Sequence, residues 1–399
     1  MTALFLYDDA RARTFEPFAL TRPASELRAG AELIRRRWER ALGTRATGFV
    51  GAAHLARFEE FDAPPAASDV LPAGAVVANA RFVLALDATL SGDASVWTCE
   101  GRVAALRISE DVHIESLRDG TTTLDELARA EASEPVPGRW LGEVWDLVAT
   151  LTPQLNEDIP ALASTLDLEP LAPSVTVIGE HPVHVERGAL VEPFVVFDTH
   201  AGPVLLRRGA TVQAFTRVVG PCYVGEGSTI VADRISGSAI GEVCKVHGEV
   251  SATIFLGHAN KGHDGFVGHS YLGRWTNLGA GTTTSNLKNT YGTVALWTPE
   301  GVRDTGLQFL GTLAGDHAKT GIGLRLTTGC VLGAGANVVD RMPPKVVPPF
   351  AWGSGVPYDI YAADKFALVA ERVMARRNVT LTPRALRQLL AAHAARWTA

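Results

Sequence analysis

Between residues 172 and 348 the chain repeatedly pairs a small aliphatic side chain with glycine: Ile178-Gly179, Val224-Gly225, Ile240-Gly241, Val267-Gly268, Leu272-Gly273, Leu278-Gly279, Ile322-Gly323 and Leu332-Gly333. Six-residue steps link Val224 to Ile230, Ile240 to Val246, Leu272 to Leu278, Ile322 to Thr328 and Leu332 to Val338. No long amphipathic helix can be drawn through this stretch. The beat predicts a parallel β-helix in which each face is one short strand, the aliphatic points inward and the small residue turns the corner. Between about residues 285 and 320 the beat is lost, and such an insertion is expected to loop out on one face.

Ahead of the repeats the patterning is α/β. Ala3–Tyr7 is an apolar run that stops at Asp8 and Asp9. Leu27, Leu33, Ile34, Trp38 and Leu42 stand at helical spacing and predict a helix over 25–42. Runs at 48–50, 75–80, 82–86, 95–98 and 103–108 predict strands, and their alternation with helix predicts a sheet with helical cover. Residues 139–165 read as a helical connector, with Leu141, Val144, Trp145 and Val148 on one side. After the repeats, Ala362–Arg377 predicts a helix, and Thr382-Pro383 caps and opens a second one. A tail of this kind is expected to cover the open end of the β-helix. The domains are therefore 1–138 (α/β), 139–170 (connector), 171–350 (β-helix) and 351–399 (helical tail).

Composition narrows the function classes. The chain has 399 residues, 46% of them hydrophobic and 20% charged, so it can bury a large core. The net charge is −6 and no long basic run is present, which argues against a nucleic-acid partner. No apolar stretch approaches a membrane span, and the first residues lack the features of a signal peptide. Cys99, Cys222, Cys244 and Cys330 are scattered without a CxxC pair. The expectation is a reduced, cytoplasmic protein.

The candidate chemistry lies in residues 261–289, KGHDGFVGHSYLGRWTNLGAGTTTSNLKN, where polar groups overlie the repeat. The segment His263, Phe266, Asn277-Leu278-Gly279-Ala280-Gly281-Thr282 and Asn286 resembles the acetyltransferase domain of the bifunctional N-acetylglucosamine-1-phosphate uridyltransferase/glucosamine-1-phosphate acetyltransferase family. The whole chain resembles a divergent sugar-nucleotidyltransferase branch of that family. The resemblance extends to LTRPASELRAG, the WDL…LNEDI connector, TGLQFLGTLAGDHAKTGIG and the tail. It implies a left-handed β-helix packed as a homotrimer, and acetyl transfer from acetyl-CoA to an amino-sugar phosphate on the way to UDP-N-acetylglucosamine, a cell-wall precursor. It implies His263 as general base, with Asn277 and Asn286 as partners in the reaction. An imidazole near neutral pKa suits removal of the amine proton. Gly279, Ala280 and Gly281 could meet the acyl carrier through backbone N–H groups. Lys261, Arg274 and Lys288 could meet phosphates. Two departures stand out: the family's aromatic is Tyr where this chain has Phe266, and its Asn-Tyr-Asp-Gly is here Asn286-Leu287-Lys288-Asn289.

The resemblance also implies nucleotidyl transfer from UTP or another nucleoside triphosphate by the N-terminal domain, with Mg²⁺. The Gly-rich phosphate loop of such enzymes is replaced by LFLYDDARARTFEPFALTRPASELRAG. Arg22 and Arg28 become the candidate phosphate ligands, Asn79 the candidate base or sugar contact, and Asp8 and Asp9 the candidate metal ligands. Three alternatives stay open. One is a nucleotidyltransferase whose β-helix is purely structural or regulatory. Another is a zinc enzyme resembling the β-helix carbonic anhydrases, from the spacing of His258 and His263. The third is a non-catalytic scaffold.

Overall fold

The computed structural model describes residues 2–91, 94–128, 133–231 and 233–398. The chain divides into two compact units, Met1–Val144 with Thr382–Ala395, and Trp145–Leu381 with Arg396–Ala399.

The first unit is built on a six-stranded sheet. Leu4–Tyr7 lies between Gly48–Val50 and Val76–Asn79, parallel to both. Arg102–Arg107 then pairs antiparallel with Val76–Asn79 and with Val96–Cys99, and Ser133–Pro135 closes the edge. One face buries Leu4, Leu6, Trp38, Val76 and Trp97; the other buries Phe5, Tyr7, Val77 and Leu106. This is the period-two alternation of a strand covered on both sides.

The helix expected over 25–42 forms only from Ile34 to Leu42. Gly30 takes φ +64°, and Arg28–Ala29 pairs with Glu32–Leu33 instead. The apolar spacing is equally served by this tight turn, which only a residue without Cβ enters cheaply. The second tail helix, Pro383–Ala394, falls in this unit, with the Thr382 hydroxyl accepting from the Ala385 N–H at 3.1 Å.

The second unit is a parallel β-solenoid. Helices Asp146–Ala149 and Leu151–Ala163 precede it. Three ladders run its length. The interior column of face one reads Leu206, Val224, Ile240, Phe255, Leu272, Ala314, Leu332 and Val347. Face three stacks Phe197, Val218, Ile235, Val250 and Val267. Face two stacks Val212, Ile230 and Val246, then breaks the rule with Lys261. The six-residue aliphatic beat is thus the inward column read along the chain.

The excursion between Thr283–Thr284 and Thr312–Ala314 carries a hairpin, Ala295–Thr298 with Gly301–Asp304. Solenoid pairing resumes at Thr312, earlier than the lost beat implied. Helix Ala363–Ala375 packs Phe366 against Phe350, Tyr361 and His317 at the last coils. Among the described residues no helix is long and apolar enough to cross a membrane.

Candidate functional site

The three corners of the solenoid divide the histidines of the central stretch among themselves. His258, Trp275 and His317 occupy the corner between faces one and two, at φ +53°, +63° and +59°. The His258 ring is tilted against Trp275 at 4.5 Å, and His317 stacks on Trp275 at 6.1 Å. His247 and His263 lie at the corner between faces two and three. His269, at φ +47°, turns the corner between faces three and one.

At the second corner His263 is exposed, and its loop is held from beneath. Lys261 sits at an interior register position and is only 2% exposed. Its ammonium donates to the carbonyls of His247 at 2.9 Å and His263 at 2.7 Å. Burial lowers its pKa to about 8. The lysine expected to meet a phosphate is therefore turned inward, onto the backbone that presents His263. Beside it, His247 approaches Asp264 at 3.3 Å and Asp233 at 3.7 Å. Among the described residues, Asp233, His247 and Asp264 form the grouping whose ligand atoms could hold a metal ion. His258 and His263, the spacing behind the zinc alternative, stand at different corners.

At the third corner, Asn286 and His269 meet at 2.8 Å, side-chain amide nitrogen to Nδ1. His269 stacks on Phe309 of the insertion, ring centroids 5.1 Å apart. Burial holds its pKa below the usual histidine range. With Nδ1 accepting from the amide, the neutral ring carries its proton on Nε2. Asn286, Phe266 and Lys288 line an open cleft of about 740 Å³, together with Arg325. Gly268 is packed beneath two of these side chains: a Cβ there would lie 2.4 Å from the Phe266 ring and 2.7 Å from the Asn286 amide.

The other motif residues are placed as follows. Asn277 lies on the outer side of face two, its Oδ1 accepting from Asn260 Nδ2 at 2.8 Å. The Gly279 N–H donates to Thr320 Oγ1 and the Gly281 N–H to the Asp264 carbonyl. A Cβ at Gly279 would meet the Gly321 carbonyl oxygen at 2.2 Å, so close coil stacking is one reason for that glycine. Ala280 lies between them, half-buried. Arg274 is buried, 3.3 Å from His258 and 3.6 Å from Glu242.

In the first unit the candidates gather at the carboxyl ends of the parallel strands. Asp8 is buried and accepts the Ala24 N–H; burial raises its pKa to about 7. Asp9 is also desolvated, but Arg81 at 2.6 Å and Asn79 at 3.0 Å outweigh that and keep its pKa low. Arg22 is 2% exposed and forks onto Glu60 at 2.8 and 3.2 Å. Arg28 is buried and donates to the Ala31 carbonyl. Arg13 closes the loop from the strand end by bonding the Asp8 and Leu117 carbonyls.

Sequence reading did not single out the His269–Asn286 pair, Arg325, or the cations Lys319, Arg376 and Arg377. Asn260, Asn277 and Lys319 are register neighbours on face two. The insertion carries the chain from position 277 to position 319 between the last two, which hides the alignment from a six-residue count.

Residues 4–166 match the sugar nucleotidyl transferase family. Over 107 residues the chain is 34% identical to the bifunctional protein GlmU of Jannaschia sp. (strain CCS1), covering 26% of this chain and 23% of that protein. Over 279 residues it is 26% identical to the bifunctional protein GlmU of Desulfitobacterium hafniense (strain DSM 10664 / DCB-2), covering 62% of this chain and 51% of that protein. The chain thus spans about half, or less, of the length of these relatives.

Proposed function

We propose that this chain, a divergent relative of the bifunctional GlmU proteins, is a cytoplasmic sugar-phosphate transferase with two activities. The solenoid transfers the acetyl group of acetyl-CoA to the amine of a glucosamine-1-phosphate-like acceptor. The N-terminal unit transfers a nucleotidyl group from UTP or another nucleoside triphosphate to the sugar-1-phosphate. The observation that carries the first activity is the convergence of Phe266, Asn286 and Lys288 on one cleft, immediately after the corner that exposes His263.

In this reading the amine attacks the thioester carbonyl. A C–N bond forms, the C–S bond breaks, and coenzyme A leaves as its thiol after taking up a proton. His263 accepts the proton that the amine sheds. Lys288 and Arg325 bring positive charge to the acceptor phosphate. Asn286, fixed by His269, hydrogen-bonds the sugar, and Phe266 forms the apolar wall in place of a phenol. The Gly279 and Gly281 N–H groups are bonded within the solenoid, contrary to the expectation that they meet the acyl carrier, so we assign the carrier to the surface of that corner at Ala280 and to Asn277 on the adjoining face.

A homotrimer is the assembly we assign. Phe194 and Phe215 stack 5.7 Å apart at the corner between faces two and three, 66% and 75% exposed, and Ile322 further along is 79% exposed. Exposed apolar side chains at the two ends of one edge, with polar groups between them, are what a neighbouring copy would cover.

We assign nucleotidyl transfer to the strand ends at Asp8, Asp9 and Asn79, the position at which open α/β sheets bind ligands. Mg²⁺ is the cofactor that the resemblance implies for this transfer. The carboxylates present do not fit an open metal site: Arg81 occupies Asp9, and Asp8 is buried with a raised pKa. No step of that reaction is therefore assigned to the ion.

The test is a crossed assay of amino-sugar phosphates with acetyl-CoA, and of sugar-1-phosphates with each nucleoside triphosphate, repeated on His263→Ala. Loss of acetyl transfer with nucleotidyl transfer retained is expected. Unchanged acetyl transfer in the variant removes His263 from the chemistry.

A further inference from the structure

A second cleft, of about 210 Å³, opens between the outer side of face two and the tail helix Ala363–Ala375, just past whose end stand Arg376 and Arg377. Its floor is the ladder Asn260, Asn277 and Lys319, in register on successive turns. Trp275 forms one side and the two arginines the other.

Three cations therefore converge on one small space: Lys319, Arg376 and Arg377. Among the described residues none of them has a carboxylate within ion-pair distance. The Lys319 ammonium donates to the His317 carbonyl at 2.9 Å. Burial pushes its pKa down to about 8, so its charge is held at a cost that no protein anion offsets. The protein carries a net charge of −6, and several of its arginines pair with acids, as Arg35 does with Glu26 and Glu39. An enclosed lysine beside two amide side chains, with the exposed Arg376 and the half-buried Arg377 at its rim, is the composition of an anion site that opens to solvent.

We propose that this cleft binds a phosphate-bearing small molecule. Lys319 acts as the point charge at the floor, Arg377 and Arg376 act as guanidinium forks from the tail, and the Asn277 amide supplies a neutral donor. The 210 Å³ volume suits one phosphate or diphosphate group rather than a whole nucleotide, so the remainder of the ligand extends outward. An acyl carrier and a free sugar or nucleoside phosphate are both sources of such a group; the shared chemistry is the phosphate itself. The inference shares only Asn277 with the acetyl-transfer reading and does not depend on His263.

Inorganic pyrophosphate is the first probe, measured by isothermal titration against the full-length protein at low and physiological salt. Saturable, salt-sensitive binding is expected, weakened at least tenfold in Arg376→Ala/Arg377→Ala and in Lys319→Met. The double variant alters only groups on the helix end, so its folding, checked by circular dichroism, is expected to be intact. Coenzyme A, its 3′-dephospho form, UDP and a sugar-1-phosphate, each competed against pyrophosphate, then separate the two sources. Absence of pyrophosphate binding, or equal binding by wild type and the double variant, overturns the proposal. His263→Ala is expected to bind pyrophosphate as wild type does, so loss of acetyl transfer and loss of this site are distinguishable.

Discussion

The ammonium of Lys261 donates to the backbone carbonyl of His263 at 2.7 Å, from a position that the solenoid otherwise gives to an aliphatic side chain. Its neighbours in the column are Val246 before it and Leu278 after it. A cation placed there is unfavourable for the core and is retained because it ties down the corner.

Lys261→Met should therefore fold and still lower acetyl transfer. Methionine fills the same channel without a buried charge. The folded pKa of about 8 lies below the ordinary lysine value of 10.5. Charging is thus disfavoured in the folded state, and wild-type stability should rise as pH increases from about 8 to 10.5 and stay flat below 8. The variant should show a smaller rise, because Lys319, whose folded pKa burial also lowers to about 8, keeps its own share. Melting curves at about pH 7 and about pH 10 check this part. Kinetics check the other: a loose His263 loop predicts a fall in kcat of roughly tenfold or more, since misplacement by about 1 Å can cost about 100-fold. Wild-type kcat in a folded variant would reduce Lys261 to a packing residue.

The His269–Asn286 contact makes a separate prediction. Burial keeps the imidazole neutral, and the amide donates to Nδ1. Asn286→Asp would put a carboxylate against that nitrogen, favouring the imidazolium. The His269 titration midpoint, followed by NMR, should move upward from its wild-type position. The acceptor KM should rise at the same time, because the carboxylate oxygens of the variant offer no N–H donors to the cleft. An unmoved midpoint would mean that the two groups are not bonded in solution.

The solenoid was legible because its rule is one-dimensional. An inward aliphatic every six residues is visible without knowing any contact, and Leu272, Leu278 and Leu332 fall in the core where the pattern puts them, whereas Ile322, paired with Gly323 in the same pattern, stands 79% exposed at a corner. What the pattern hides is depth at a corner. Lys261 and His263 are close in sequence and equally polar, yet one is enclosed and the other exposed. Periodicity marks Lys261 as an inward position while its charge argues for the surface, and burial follows the periodicity. Arg22 and Arg28 mislead in the same way. Both are buried, Arg22 forking onto Glu60 and Arg28 donating to the Ala31 carbonyl across the turn at Gly30. The cations of the second cleft were illegible for a third reason, since they come together only after the insertion is folded out.

Asp8→Asn tests the strand-end site through stability. Burial raises the Asp8 pKa from 3.8 to about 7, against the pull of the Ala24 N–H and of Arg13. A carboxyl with a raised folded pKa binds its proton more tightly when folded. Its contribution is therefore most favourable below about pH 4 and is lost as pH rises toward 7, amounting to at most about 4 kcal/mol. Asparagine keeps an acceptor for Ala24 and carries no charge. The variant should gain melting temperature over wild type at about pH 8 and little or nothing at about pH 4. An equal gain at both would assign the effect to packing rather than ionisation. If nucleotidyl transfer is also lost, the buried acid is retained for the reaction and not for the fold.

Two glycine substitutions separate the cleft from the scaffold that carries it. Gly279→Ala would drive Cβ to 2.2 Å from the Gly321 carbonyl oxygen, a contact between backbones of adjacent turns. Neither turn can yield alone, so this variant should lose the solenoid's cooperative melting altogether. At Gly268 the obstacles are side chains, the Phe266 ring at 2.4 Å and the Asn286 amide at 2.7 Å. Both line the open cleft, so both can swing into it, and Gly268→Ala should fold with a modest loss of melting temperature. The displaced ring and amide would then occupy the space assigned to the acceptor sugar. The expected result is a KM for the amino-sugar phosphate raised tenfold or more, with the KM for acetyl-CoA little changed. If both constants stay at wild-type values in a folded variant, the acceptor binds elsewhere and Phe266 and Asn286 lose their assigned roles. If both rise together, the carrier and the acceptor share this cleft, and the Gly279–Gly281 corner is not where the carrier lies.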